Sequence, residues 1–137
     1  MSWVDWKHAD HGLLAFVEKL TALRRENDIF RRRQFSFQEI GWYRNDGKQM
    51  TAPDWCTPWA KAIGMFLSGS DHRDGDFYVA FNSHSQPIQF TIPGELGHGW
   101  RVVVHTNEQQ ALPIAGSANS TVLLVEAHSL LIVASTS

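Results

Sequence analysis

Carboxylates are the first residues of this sequence whose spacing could support chemistry. Asp71, Asp74 and Asp76 lie close together in the segment SDHRDGDF, and a D-x-x-D-x-D spacing supplies oxygen ligands of the kind that Ca²⁺ prefers. The glutamate that completes an EF-hand loop at its twelfth position is missing, and the same composition is typical of a hairpin turn. We therefore interpret the three aspartates as a turn and predict no calcium site.

Histidines are the next candidates, because neutral imidazole is a common zinc ligand. His8 and His11 are three positions apart and His98 and His105 are seven apart, but no third ligand follows at a characteristic spacing. His105 and His128 come at the ends of predicted strands, where a half-exposed imidazole is ordinary. The chain also lacks a glycine loop of the phosphate-binding type. The sequence therefore predicts no metal and no cofactor.

The one cysteine, Cys56, lies between two tryptophans in the segment DWCTPW, with no histidine in a recognisable catalytic setting. We predict a structural thiol that is buried or half-buried. A single cysteine excludes an intrachain disulfide and suits a reducing compartment. Because the N-terminal residues also lack an apolar signal region, we expect a cytoplasmic protein.

Tryptophan is the residue type whose abundance most suggests binding. Six tryptophans among 137 residues is a high content, and the face of an indole stacks well on the apolar face of a pyranose ring. Trp55 and Trp59 lie in a loop-like segment between strands, and Trp3 and Trp6 precede the first helix. All four are candidate sugar contacts. The alternative for Trp55 and Trp59 is structural, with the proline-braced segment DWCTPW packed into a core or a domain junction.

Five arginines form the most basic stretch of the chain, in the segment RRENDIFRRR. The whole chain nevertheless has a formal net charge of −2, whereas proteins that bind nucleic acid usually carry a broad basic face. The arginines are not interleaved with aromatic platforms, and no apolar run approaches the length of a membrane-spanning helix. We predict neither a nucleic-acid partner nor a membrane partner. These arginines are Arg24, Arg25, Arg31, Arg32 and Arg33.

An amphipathic helix from Asp10 to about Asn27 is the first predicted element. Its apolar residues follow the i, i+3, i+4, i+7 spacing of a single helical face. Asp10 suits the N-cap, and Arg24 and Arg25 fall in the last turn, where cations favour the negative end of the helix dipole. The apolar positions are Leu13, Phe16, Val17, Leu20 and Leu23.

The hydrophobic period changes after residue 34, and seven segments predict β-strands. The residues between them are mostly Gly, Pro, Asn, Ser and Asp, and no helical period intervenes. Short strands in this arrangement favour an all-β fold, an antiparallel β-sandwich or barrel. Residues 107–119 predict a polar loop. The segments are QFSFQEIGWYR, AIGMFLSG, DFYVAFNS, PIQFTIP, WRVVVHT, STVLLVEA and SLLIVAS.

The order of motifs over residues 2–69 resembles the C-terminal part of the bacterial glycogen debranching enzymes, which are isoamylase-type members of glycoside hydrolase family 13. There, a helix ending in Leu-Arg-Arg leads through an Arg-rich link into a Trp-containing strand, and Asp-Gly, Met, Asp-Trp and Pro-Trp follow. MSWVDW is similar to the family's Ser-Trp-x-Asp-Trp before the last barrel helix. The family often has His-Pro where Asn27 and Asp28 stand. The matching residues are Leu23, Arg24, Arg25, Arg31 to Arg33, Phe35, Trp42, Asp46, Gly47, Met50, Asp54, Trp55, Pro58, Trp59 and Gly69.

The resemblance implies two parts: residues 1–34 as a terminal barrel segment with its helix at about 10–27, and residues 35–137 as an α-amylase-type C-terminal β-sandwich. A (β/α)8 barrel alone takes about 250 residues, so the family's catalytic carboxylates would lie in a domain outside this chain. The chain alone would then be non-catalytic. Its partners would be the parent's barrel and, through it, α-glucan, and the parent would hydrolyse α-1,6 branch linkages of glycogen or limit dextrin. The five arginines would lie at the junction of barrel and sandwich.

Two other functions stay open from the residues alone. One is a stand-alone α-glucan-binding module that uses tryptophan platforms, and the other is an interaction domain unrelated to sugar, with the arginines as a docking face. If the chain is instead a fragment of a debranching enzyme, we expect weak or no glucan affinity. The apolar stripe of the 10–27 helix would then lack its cover, so we also expect the fragment to self-associate through it.

Overall fold

The computed structural model describes residues 8–33, 39–58, 60–69, 75–107, 114–117 and 120–135. The chain divides into two compact units, Met1–Arg33 and Gln34–Ser137, which are taken in turn below. No helix of the described residues is long and apolar enough to cross a membrane.

The first unit is built on helix α1, His11–Glu26, which confirms the predicted amphipathic helix. Asp10 is its N-cap, because its Oδ1 accepts a hydrogen bond of 3.0 Å from the backbone N–H of Leu13. Asn27 ends the helix: its backbone N–H and its side-chain Nδ2 both donate to the carbonyl of Leu23, at 3.2 and 2.8 Å. A 3₁₀ turn, Asp28–Arg31, follows and contains the buried Ile29.

The second unit consists of two antiparallel sheets. Their strands are β1 Ile40–Tyr43, β2 Ala62–Leu67, β3 Phe77–Asn82, β4 Ile88–Pro93, β5 Arg101–His105, β6 Ile114–Ser117, β7 Ser120–Val125 and β8 Ser129–Ala134. The larger sheet has five strands in the order β1-β2-β3-β8-β5, and the smaller has three in the order β4-β7-β6. A short helix, α2 (Ala52–Trp55), lies between β1 and β2, and a 3₁₀ turn, Gly94–Leu96, precedes β5.

The core lies between the inner faces of the two sheets, so the predicted sandwich-like fold is confirmed. Alternate residues of each strand enter this core, as expected when successive side chains point to opposite faces of a strand. Trp100 closes it, with its Nε1 donating to the carbonyl of Gly97 at 3.1 Å. The other core residues are Tyr43, Tyr78, Ala80, Leu131 and Val133 from the larger sheet, and Phe90, Ile92, Leu123 and Val125 from the smaller one.

The outer face of the larger sheet is also apolar, which is unusual for an antiparallel sheet with one solvated face. Three rows of hydrophobic side chains cross strands β2, β3 and β8 on the side opposite to Tyr78 and Ala80. None of these residues is among the exposed hydrophobic side chains, and four of them are buried. The outer face of the larger sheet is therefore largely shielded from solvent in the folded chain. The rows are Ile63–Phe81–Leu130, Met65–Val79–Ile132 and Leu67–Phe77–Ala134.

All seven predicted strands are present, but two local predictions were wrong. Ile114–Ser117 was predicted to lie in a loop and forms strand β6, which pairs with β7 at the edge of the smaller sheet. The sequence IAGS gives no alternation and ends in small residues, so its strand comes from backbone pairing with β7. The segment Ala52–Trp55, also predicted as a loop, forms one helical turn.

Candidate functional site

The helical turn α2 is the rigid element on which the candidate site is built. Thr51 is its N-cap, and its backbone N–H and hydroxyl donate to Asp54 Oδ2 at 2.8 and 2.6 Å. The backbone N–H of Asp54 also donates to the carbonyl of Thr51, at 3.0 Å. The side chains of Thr51 and Asp54 each accept from the other residue's backbone N–H, which is a capping box, and Pro53 adds a fixed φ angle within the first turn. The sequence TAPDW therefore specifies its own conformation.

Trp55 ends α2, and 55% of its surface is exposed. Its ring meets that of Trp42 on β1 edge to face, with 5.5 Å between centroids and 77° between planes. This contact fixes the orientation of an indole that stays open to solvent. The neighbouring Cys56 is exposed too, so the predicted buried or half-buried thiol is wrong. The reason is that none of the residues of α2 is buried, so this segment lies on the surface.

A cleft of about 490 Å³ opens beside α2, at the edge where β1 ends and β2 begins. Its lining includes the apolar residues Met50, Ala62 and Ile88. A smaller cavity of about 240 Å³ shares Met50, Asp54 and Lys61 with it and extends to Trp55. Polar side chains from two connections, β1–β2 and β3–β4, form the walls. These are Arg44, Asn45, Asp54, Lys61 and His84.

The charged groups of the cleft constrain one another. Arg44 Nη2 lies 2.9 Å from Asp46 Oδ2, and its Nη1 lies 3.6 Å from Asp54 Oδ1. The pKa of Asp54 is lowered, first by the hydrogen bond from the Thr51 hydroxyl, then by that from the Thr51 backbone, and also by the charge of Arg44. Asp54 is therefore a carboxylate at neutral pH and offers only acceptors.

The neutral groups of the cleft are also oriented. His84 Nδ1 accepts a hydrogen bond of 3.1 Å from the backbone N–H of Gln86, so in the neutral imidazole the ring proton lies on Nε2, which is then a donor. Asn45 Nδ2 donates to the carbonyl of Gln89 at 3.3 Å, which leaves its side-chain oxygen as an acceptor. The walls thus offer fixed donors and acceptors.

The groups described at the cleft suit the binding of a polar ligand. A retaining glycosidase needs two carboxyl groups about 5 to 5.5 Å apart, one of which must hold a proton at neutral pH. Among the described residues that line the cleft, Asp54 is the one carboxylate, and its lowered pKa makes it a poor acid.

The structure places one of the four candidate tryptophans at this cleft, Trp55. Trp3, Trp6 and Trp59 lie outside the described residues, so their role as sugar contacts stays a prediction. The residues Arg44, Asn45, Lys61 and His84 were missed in the sequence. Arg44 and Asn45 begin the β1–β2 connection, and Lys61 ends it. His84 lies in the β3–β4 connection, and the antiparallel pairing of β1, β2 and β3 brings these segments together.

The candidate metal ligands do not converge where the structure describes them. Asp76 Oδ1 accepts a hydrogen bond of 2.8 Å from the backbone N–H of Gly69, which ties together the two ends of the β2–β3 connection, while Asp71 and Asp74 lie outside the described residues. Within the described ranges no three His, Cys, Asp or Glu residues are placed to hold a metal ion.

The histidines are dispersed over the structure. His8, His11, His98 and His128 are exposed. His105, which we predicted to be half-exposed, is buried, with 8% of its surface accessible. The register explains this difference, because His105 pairs with Leu131, a core residue.

The five arginines occupy different environments. Arg24 and Arg25 are exposed in the last turn of α1, as predicted for cations at a helix C-terminus. Arg31 forms an exposed ion pair with Asp28 within its own 3₁₀ turn. Arg32 is half-buried and Arg33 is exposed. Their role at a domain junction stays a prediction.

The fold resembles that of a solved α-amylase. The crystal structure of the α-amylase from H. orenii superposes with a TM-score of 0.56 and 13% sequence identity, and the match covers 90% of this chain and 20% of that one. At this identity the likeness shows the fold alone.

Sequence relatives are more specific. The Glycogen operon protein GlgX homolog of Mycobacterium tuberculosis is 30% identical over 131 residues, covering 79% of this chain and 18% of that protein. The Glycogen debranching enzyme of Klebsiella pneumoniae is 27% identical over 130 residues, covering 91% and 17%. Isoamylase SU1 of Zea mays is 26% identical over 108 residues, covering 78% and 13%. The chain thus spans less than a fifth of the length of these relatives. The family model described as "Isoamylase, C-terminal" matches residues 39–134, so this chain belongs to the isoamylase C-terminal domain family.

Proposed function

We propose that this chain is the non-catalytic C-terminal region of a glycogen debranching enzyme. The complete protein would hydrolyse α-1,6 branch linkages of glycogen or limit dextrin in the cytoplasm. Residues 1–34 would then be the last helical segment of the catalytic barrel, and residues 35–137 the β-sandwich that follows it. The relatives support this proposal, because the matching region is a small part of much longer proteins, two of which are a glycogen debranching enzyme and an isoamylase.

The observation that carries the proposal is the match of residues 39–134 to the family model described as "Isoamylase, C-terminal". The relatives that share this region are much longer, because the chain spans 18%, 17% and 13% of their lengths. A region of this size leaves ample length in such a protein for a (β/α)8 barrel of about 250 residues.

Expression of this reading frame with the genomic region directly upstream tests the proposal. We expect the longer product to release linear oligosaccharides from limit dextrin and the 137-residue chain to release none, because the cleft beside Trp55 has no second carboxylate among its described residues. Reducing-sugar assays on glycogen, pullulan and limit dextrin give the readout. Activity of the 137-residue chain in proportion to its concentration would contradict the proposal, as would an upstream region that encodes no barrel.

A second expectation concerns α1, whose Leu13, Leu14 and Val17 are exposed by 60%, 47% and 48%. In the complete enzyme we propose that this face packs within the barrel. In the 137-residue chain we expect it to pair with a second copy, in a dimer measured by light scattering. Val17→Glu places a charge in that contact and should weaken the dimer by about 2 kcal/mol, roughly thirtyfold in dissociation constant.

Ala15→Glu is the matched control for this expectation, because Ala15 is exposed and lies about 160° around the helix from Val17 at 100° per residue. It adds the same charge to the same helix and should leave the dimer intact. A monomeric mass at high protein concentration, or equal masses for the two variants, would contradict self-association through α1.

A further inference from the structure

Trp55 and the cleft beside it have a composition that matches one class of ligand. A pyranose ring presents an apolar face of C–H groups and a rim of hydroxyls, so its site needs an open aromatic face next to fixed donors and acceptors. Trp55 provides the first, with 55% of its surface accessible. Arg44, Asn45 and His84 are among the polar side chains that provide the second.

The charge balance of the cleft favours a neutral ligand. Among the described residues that line it, the cations are Arg44 and Lys61, and Arg44 lies between the carboxylates of Asp46 and Asp54 at 2.9 and 3.6 Å. A phosphate site would instead present guanidinium or backbone N–H groups that are free of carboxylates. The hydroxyls of a sugar can use carboxylate acceptors and cationic donors together, so the mixture fits an uncharged polyol.

The size and rigidity of the site also fit a sugar. The cleft of about 490 Å³ lies within the range of about 300 to 1,000 Å³ that is usual for small-molecule sites. The capping box of α2 and the edge contact with Trp42 hold Trp55 in place before any ligand arrives. A site that is already ordered loses little conformational entropy on binding, which favours measurable affinity from a small contact area.

We propose that Trp55 and the cleft formed by Arg44, Asn45, Asp54, Lys61 and His84 are a binding site for a neutral α-glucan chain. The choice of α-glucan among neutral sugars rests on the proposed function. One glucosyl ring stacks on the indole, and the hydroxyls of the adjoining ring reach the polar walls. The site is of low affinity, in keeping with its open form, and would hold the enzyme on a large branched substrate by adding to the binding of the active site.

The test is a titration of the ¹⁵N-labelled 137-residue chain with maltoheptaose, followed by NMR. We expect saturable shifts of the Trp55 indole N–H and of backbone amides from residues 54–61. Trp55→Ala should raise the dissociation constant by about tenfold or more, the loss expected when a stacking platform is removed. Trp55→Phe, which keeps an aromatic face, should retain part of the affinity.

Val102→Ala is the matched control, because Val102 is exposed on β5, at the edge of the larger sheet opposite to β1. It should bind maltoheptaose like the unchanged chain. Urea unfolding of every variant checks that the fold is intact. Absence of saturable shifts with maltoheptaose would overturn the site, and so would an equal dissociation constant for Trp55→Ala.

Two further titrations separate this inference from the proposed function. Stronger binding of inorganic phosphate than of maltoheptaose would overturn the inference and identify an anion site. Binding of cellohexaose at Trp55 without binding of maltoheptaose would overturn the choice of α-glucan and weaken the proposed function too. Debranching activity of the longer product with no maltoheptaose shifts in this chain would overturn the inference alone.

Discussion

Replacement of Gly64 by alanine should lower the free energy of unfolding by about 3 kcal/mol, the upper range for overpacking a core. Gly64 lies on β2 opposite Tyr43 and Ala80, and a Cβ built there would stand 1.9 Å from the hydroxyl oxygen of Tyr78 and 2.5 Å from its Cζ. Tyr78 is fully buried and cannot withdraw, because its ring packs against those of Tyr43 and Trp100, at 6.4 and 6.5 Å between centroids. Urea denaturation measures the loss.

Gly75→Ala is the control for this prediction. A Cβ at Gly75 would meet Ser135 atoms at 3.5 Å, an ordinary contact, so its effect should stay within about 0.5 kcal/mol. Tyr78→Phe in the Gly64→Ala background removes the oxygen that clashes and should recover part of the loss. That hydroxyl has no hydrogen-bond partner among the described residues, so its removal leaves no group newly unpaired. Equal stabilities of Gly64→Ala and Gly75→Ala would show that the Tyr78 ring moves freely.

The sequence predicted the large elements of this fold because their signals are local. The apolar spacing of α1 and the apolar runs of β3 and β8 depend on residues within one element, and each was found where the pattern indicated. The packing of the Tyr78 ring against Gly64 has no local sequence signal. It depends on the register that sets Gly64 opposite Ala80, two positions from Tyr78, and a register is a property of two strands.

The candidate site was predictable only in part, because some of its features have a local sequence signal and others do not. Trp55 stands out by residue type, and its segment contains the threonine, proline and aspartate of a capping box, although we predicted a loop there. The walls of the cleft carry no local signal, since Arg44 and Lys61 lie at opposite ends of the β1–β2 connection and His84 lies in the β3–β4 connection. The exposure of Cys56 escaped prediction because its aromatic neighbours suggested a core, whereas the helical turn keeps the segment on the surface.

Asn82→Asp should destabilise the second unit by about 4 kcal/mol at pH 7, as expected when a buried charge is left without a partner. Asn82 is buried at the end of β3, and its Nδ2 donates to the carbonyls of Gln86, Val125 and Glu126 at 2.9, 3.0 and 2.9 Å. Its Oδ1 accepts from the backbone N–H of His84 at 2.9 Å. These bonds join the β3–β4 turn to the end of β7, and so link the two sheets. Urea denaturation at several pH values measures the effect.

The stability of the Asn82→Asp variant depends on pH because the new carboxyl group has different pKa values in the folded and unfolded chain. An aspartate at position 82 faces three carbonyl oxygens, which raises its folded pKa above the unfolded value of about 3.9. Stability is therefore greatest below that value, where a protonated carboxyl still donates one hydrogen bond, and it is lost as the pH rises through the folded pKa. Asn45→Asp is the matched control, since Asn45 is exposed and its Nδ2 makes one bond of 3.3 Å, to Gln89. It should change stability by less than about 0.5 kcal/mol. If the two variants unfold alike at pH 7, the Asn82 side chain does not join the sheets.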